Sequence, residues 1–146
     1  MSPQEVLKLL NKQSNKYGAK KTVCSLGHTH DSKKEAERCL ELHLLEQSGE
    51  ITDLKMQVSY LIIPAIFKEI ELKEVYKVGV NKGKPKKKKI CEEQAAYYKA
   101  DFVYYDKRKK HFVIEDCKGK RTKDYILKRK LMKQQYCNDT TVFIET

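Results

Sequence analysis

No apolar run approaches the roughly 20 residues needed to cross a bilayer, and the longest apolar stretch, Leu61 to Phe67, is interrupted by Pro64. Membrane insertion is excluded on that ground. The sequence also lacks a signal-peptide pattern and any C-x-x-C pair, and its cysteines number an odd five: Cys24, Cys39, Cys91, Cys117 and Cys137. A reducing, cytoplasmic setting is therefore expected. Internal repeats are missing, and the single low-complexity stretch is Lys82-Gly83-Lys84-Pro85-Lys86-Lys87-Lys88-Lys89.

What the chain has in excess is positive charge: 31 lysines and arginines against 20 acidic residues, a net +11 in 146 residues. That length suits one domain with a real hydrophobic core and is short for two. A polyanion is the simplest partner for so basic a body, and nucleic acid leads the candidates.

Pro3 to Leu10 reads as a short helix and 11–19 as a flexible basic arm, leaving 20–146 as the domain. Residues 20–25 and 29–32 flank Leu26-Gly27 as a short hairpin would. Ser32-Lys33-Lys34-Glu35 is a capping-box pattern leading into Ala36, Cys39, Leu40 and Leu44, with a stop at Ser48-Gly49, and predicts a helix over 33–47. Alternation of Leu54, Met56, Val58, Tyr60 and Ile62 with Lys55, Gln57, Ser59 and Leu61 predicts a strand over 54–63. The lysine run around 82–89 cannot enter a core and reads as a mobile basic loop or hairpin tip. Segments 97–105 and 111–117 form an antiparallel hairpin around a charged turn, Thr122 caps a helix over 123–136, and 141–144 closes as a strand. The expected fold is α/β, a single domain with a central mixed sheet flanked by helices.

The ends of that hairpin carry the chemistry. Residues i and i+2 of a strand face one way, so Asp116 and Lys118 share a side that Glu115 and Cys117 do not. Strand pairing can bring Asp101 beside Asp116, and two such carboxylates are relieved by a divalent cation with hard oxygen ligands, Mg2+ or Mn2+. That cation polarises a phosphodiester oxygen and acidifies water, while Lys118 orients the nucleophile and offsets transition-state charge. Glu115 is the competing acid, and a bulge would reverse the preference for Asp116.

This constellation resembles the PD-(D/E)xK nuclease superfamily. The strings Lys16-Tyr17-Gly18-Ala19-Lys20-Lys21, Asp31-Ser32-Lys33-Lys34-Glu35-Ala36-Glu37-Arg38, Ala100-Asp101-Phe102 and Glu115-Asp116-Cys117-Lys118-Gly119 are similar to small phage-encoded, Holliday-junction-resolvase-like endodeoxyribonucleases. The resemblance implies a restriction-endonuclease-like α-β-β-β-α-β core, DNA as substrate, and a role in phage DNA recombination, repair or processing. It implies Asp101, Asp116 and Glu35 as metal ligands, Lys118 as the catalytic lysine, and Gln57 as a polar residue near the site. The sequence departs from the usual motif in carrying Asp116 where glutamate is commoner and Ala100 where the superfamily's name places proline. Junction resolution would need two sites, hence a homodimer.

The belt formed by Lys120, Arg121, Lys123 and Lys128 follows the proposed site and is where a DNA backbone would lie. Tyr97, Tyr98, Tyr104 and Tyr105 read as packing residues ahead of base-stacking ones. Cys24, His28, His30 and Cys39 could supply a zinc site, but C-x3-H-x-H is not a familiar knuckle and Cys39 falls in a helix with a buried apolar face, so core thiols are expected instead. The competing function is a catalytically inert nucleic-acid-binding or host-interaction protein on the same fold, and an RNA-directed nuclease would use the same residues.

Overall fold

The computed structural model describes residues 20–146. The helix expected over 3–10 and the arm over 11–19 lie outside the described residues. The chain opens with a small hairpin, β1 (Thr22–Val23) and β2 (Thr29–His30), followed by helix α1 (Lys33–Gln47). Ser32 caps α1, its Oγ accepting from the Glu35 amide at 3.2 Å. The Glu35 carboxylate turns back to accept from the Asp31 amide at 3.3 Å, one residue earlier than a standard capping box would use.

Four strands form the central sheet in the order β3 (Ile51–Ile63), β6 (Ala96–Asp106), β7 (His111–Asp116) and β8 (Thr141–Glu145). The first three pair antiparallel, whereas β8 runs parallel to β7 after crossing over through α2 (Lys123–Tyr136). The sheet is therefore mixed, and its elements follow the order helix, three strands, helix, strand. Thr122 caps α2, its Oγ1 accepting from the Tyr125 amide at 3.2 Å. No helix among the described residues is long and apolar enough to cross a membrane.

Strand β3 begins three residues before the expected 54. Asp53 takes φ 57° and shifts the β3–β6 register between Thr52 and Lys55, breaking the alternation that the sequence shows only from Leu54 onward.

The lysine run needs a correction. Lys82 and Lys84 lie in the tip of a hairpin, the second of the two readings, whereas Lys86 to Lys89 lie in β5 (Pro85–Glu93), paired antiparallel with β4 (Ile66–Val75) in a two-stranded ribbon outside the central sheet. Opposed charges compensate across it: Lys86 pairs with Glu74 at 2.9 Å, Lys87 with Glu69 at 3.3 Å and Lys68 with Glu92 at 2.9 Å. A run of like charge is tolerated in a strand when the facing strand carries the opposite sign.

Two hydrophobic clusters lie on the two faces of the sheet. Ala36, Cys39 and Leu42 of α1 pack with Ile51, Phe102, Tyr104 and Val113, while Tyr125 and Met132 of α2 pack with Ile62, Tyr98, Ala100 and Ile114. Neighbours Val113 and Ile114 serve different clusters, so the helices cover opposite faces of β7.

Glu115, wholly buried, faces α1 and is saturated. Arg38 donates to it from Nε at 2.5 Å and from its terminal nitrogen at 3.1 Å, Tyr104 Oη at 2.7 Å and Thr146 Oγ1 at 3.1 Å. Arg38→Ala would strand that charge without its counter-ion and is expected to lower the unfolding free energy by roughly 2–4 kcal/mol. Urea denaturation checks this, and an unshifted midpoint would show that the pair carries no net stability.

Candidate active site

Asp101, Asp116, Lys118 and Glu35 come from four places in the chain: the middle of β6, the last position of β7, the segment just after β7, and the first turn of α1. All three carboxylates are buried. The last β6–β7 pair is Phe102 with Glu115, which leaves Asp101 and Asp116 at the next position of the same ladder. Alternation sends Asp116 to the α2 face, away from Glu115, and the Lys118 ammonium lies 3.2 Å from Asp116 Oδ1. The preference for Asp116 over Glu115 thus acquires a physical basis, because Glu115 has its acceptor capacity taken up by Arg38, Tyr104 and Thr146.

Asp116 is the outlier. Its side chain is wholly buried, yet neither oxygen has a hydrogen-bond partner among the described residues, leaving Lys118 as an ion pair at its margin. Buried carboxylates are ordinarily satisfied by several donors. The buried Tyr98 and Tyr125 hydroxyls stand on the α2 side within reach of Asp116 and of each other, without a well-aligned hydrogen bond among the described residues. Burial first, and then the charge of Asp116, holds both phenols above their ordinary range, so they stay protonated.

Asp101 accepts from the Cys117 amide at 2.7 Å and, weakly, from Gln57 Nε2 at 3.4 Å. Gln57 sits between the Met56–Phe102 and Val58–Ala100 pairs with φ 55°, a left-handed conformation that costs a non-glycine residue roughly 1–3 kcal/mol. Strand β6 changes partners at the same level: Tyr98 and Ala100 join the α2-side cluster, Phe102 and Tyr104 the α1-side one. The distortion aims Asp101 and Gln57 at each other.

The electrostatics show carboxylates crowded together. Burial, then the charges of Asp116 and Glu35, pushes Asp101 up to about 7 against its ordinary 3.8, with the Cys117 amide and Lys118 opposing. Glu35 is raised too, first by burial, with Asp31 and Asp116 adding to it against the Asp31 amide and Lys118. For Lys118 burial pulls downward, but Asp116 and Asp101 outweigh it and hold the ammonium above its ordinary value. Cys117 is buried toward α1 with its thiol 3.2 Å from Thr146 Oγ1, and burial raises it to about 11, which keeps the thiol protonated at neutral pH.

A family model described as "Protein of unknown function (DUF1064)" matches residues 14–145. The chain belongs to that family. Comparison with curated proteins and with solved structures returns no match. All four residues singled out in this DUF1064 member fall within the matched region.

Beside Lys118 a cleft of about 310 Å³ opens, lined among others by Tyr97, Lys99, Thr122, Tyr125 and Lys128. Of the basic belt, Lys128 reaches this cleft, and Lys120 and Lys123 are exposed nearby. Arg121 is engaged by Glu145 at 2.6 Å, and Arg129 in the middle of α2 pairs with the same carboxylate, which anchors α2 to β8. Lys99, Tyr98 and Tyr125 were not expected near the site. Lys99 stands two residues before Asp101 on β6, a spacing the sequence does show, whereas the position of Tyr125 depends on how α2 crosses the sheet, which no local pattern encodes.

The raised Asp101 predicts an inverse pH dependence of stability. The unfolded carboxyl loses its proton near 3.8 while the folded one keeps it to about 7, so this group's contribution is complete below about pH 4 and is lost as pH rises through 7. Metal-free protein should therefore lose melting temperature between about pH 5 and pH 8 more steeply than Asp101→Asn, and Mg2+ should restore part of the loss at pH 8. Parallel pH profiles for the two proteins in differential scanning calorimetry would refute the crowding.

Proposed function

We propose that this chain is a metal-dependent endodeoxyribonuclease with a restriction-endonuclease-like core, hydrolysing DNA phosphodiester bonds in the cleft beside Lys118. The observation that carries the reading is Asp116: a wholly buried carboxylate beside those of Asp101 and Glu35, with the Lys118 ammonium 3.2 Å from Oδ1 and no well-aligned hydrogen bond to either oxygen among the described residues. Three buried carboxylates within electrostatic reach of one another would suit a hard divalent cation, Mg2+ or Mn2+, held by Asp101, Asp116 and Glu35. Such a cation supplies charge neutralisation and Lewis acidity toward a phosphodiester oxygen.

The chain's own residues do the rest. The Cys117 amide and Gln57 fix Asp101, and the capping turn at Asp31 fixes Glu35. Lys118, kept protonated by the acids around it, donates to a non-bridging phosphate oxygen and offsets charge growing on the phosphorane-like transition state. Lys99 and Lys128 line the same cleft and supply positive charge for the backbone on either side of the scissile bond, with Lys120 and Lys123 beyond them. The mixed helix–sheet–helix architecture supports the assignment, since the acids and the lysine gather where β6 and β7 part.

Labelled duplex, single-stranded and four-way-junction DNA, incubated with Mg2+, Mn2+ or chelator, tests this directly. Cleavage is expected with metal alone, with Asp116→Ala inactive and Lys118→Ala slowed by about 10²–10³-fold. DNA binding without cleavage under every condition would replace the proposal with an inert DNA-binding role, and cleavage unaffected by either substitution would place the chemistry elsewhere.

A further inference from the structure

Ahead of the carboxylate site, four side chains with metal-ligating atoms converge from two elements. Cys24 precedes and His28 follows the turn between β1 and β2, His30 ends β2, and Cys39 comes from the middle of α1. Their ligand atoms all lie within 4.8 Å of one another, and Cys39 Sγ is 3.6 Å from His28 Nδ1. Zinc–sulfur and zinc–nitrogen bonds of about 2.3 and 2.0 Å place the ligands of a tetrahedral ion roughly 3.3–3.8 Å apart, so the cluster needs little movement to close.

Cys24 and Cys39 are core thiols, as expected, and the same two thiols also lie within ligating reach of His28 and His30. Cys39 is fully buried, but the helix face that carries it is turned toward the hairpin as well as the sheet. The turn itself is shaped for convergence: Gly27 at φ 82° lets its amide reach the Cys24 carbonyl at 2.9 Å, while the Cys24 amide donates to the His28 carbonyl at 2.9 Å. Both ends of the turn are thereby held together under α1. His30 adds an independent sign of a missing partner, since its Nε2 is buried without a hydrogen bond among the described residues. His43, also close, lies outside the set: its Nδ1 is 2.9 Å from the Cys39 carbonyl. A hairpin of two-residue strands has little to stabilise it by pairing alone.

We infer that Cys24, His28, His30 and Cys39 bind one structural zinc ion, stapling the β1–β2 hairpin to α1. Two thiolates and two imidazoles select zinc over magnesium, and four protein ligands leave no open position for substrate, which makes the site structural. Binding releases both thiol protons. The inference goes beyond the nuclease reading and does not rest on it. The two sites meet at His30, whose Nδ1 faces Glu35 Oε2 at 4.0 Å, so an imidazole bound to zinc through Nε2 turns its other nitrogen toward that carboxylate.

Elemental analysis of the full-length protein, purified from zinc-supplemented cells and exchanged into metal-free buffer, should find about one zinc per chain. Cys91→Ser, at an exposed cysteine, and Asp116→Ala should retain it, while Cys24→Ser and Cys39→Ser should lose most of it. Should those two variants fail to fold, cobalt(II) reconstitution of the wild-type chain decides the matter through the visible bands of a tetrahedral complex and a thiolate-to-cobalt charge-transfer band. Wild-type protein with neither zinc nor that cobalt spectrum, zinc retained equally by all variants, or a Cys24–Cys39 disulfide in freshly purified protein would each overturn the inference.

Discussion

Side-chain alternation at the end of β7 separates two buried carboxylates that are neighbours in sequence, and most of the remaining architecture follows from how each is treated. Glu115 points toward α1, where Arg38, Tyr104 and Thr146 fill its acceptor sites. Asp116 points toward α2, where Lys118 offers an ion pair and the Tyr98 and Tyr125 hydroxyls stand close by. A buried carboxylate compensated only in part is costly, and the fold carries it one peptide away from a carboxylate whose compensation is complete. The saturated acid ties α1, the sheet and Thr146 together, while Asp116 keeps acceptor capacity on the α2 side.

Helix α1 serves three systems within two turns. Glu35, Arg38 and Cys39 stand at i, i+3 and i+4 and so share one face, yet Glu35 is directed at the acidic site, Arg38 at Glu115 and Cys39 at the hairpin. This explains why the capping turn is so firmly specified. A rotation of α1 by one residue would dislocate all three at once, and the Ser32 and Asp31 contacts fix that rotation.

Much of this was legible in the sequence because it is local. The Ser32–Glu35 and Thr122 caps marked both helices, the charged turn after Asp106 marked the β6–β7 hairpin, and the i, i+2 relation singled out Asp116 with Lys118. The misreadings have nonlocal causes. Asp53 and Gln57 adopt positive φ, so β3 departs from simple alternation where it matters. Lys86 to Lys89 form a strand because glutamates twelve to eighteen residues earlier face Lys86 and Lys87. Tyr98 and Tyr125 meet near Asp116 through the crossover of α2, and the cysteines and histidines of the first hairpin meet Cys39 only once α1 docks.

The β4–β5 ribbon also bears on how the chain finds its structure. It sits in series with the central sheet: Ile63 pairs with Ala96, and just past Pro64 and Ala65 the ladder resumes with Ile66 opposite Glu93. Without the ribbon, pairing β3 with β6 would mean closing a loop of some thirty residues, an entropic toll that grows with loop length. A hairpin that closed from its own turn, on the usual scale of about 1–10 μs, would shorten that loop to a few residues. The ribbon thus works as a zipper, setting the register of β3 against β6 and with it the alignment of Gln57 and Asp101.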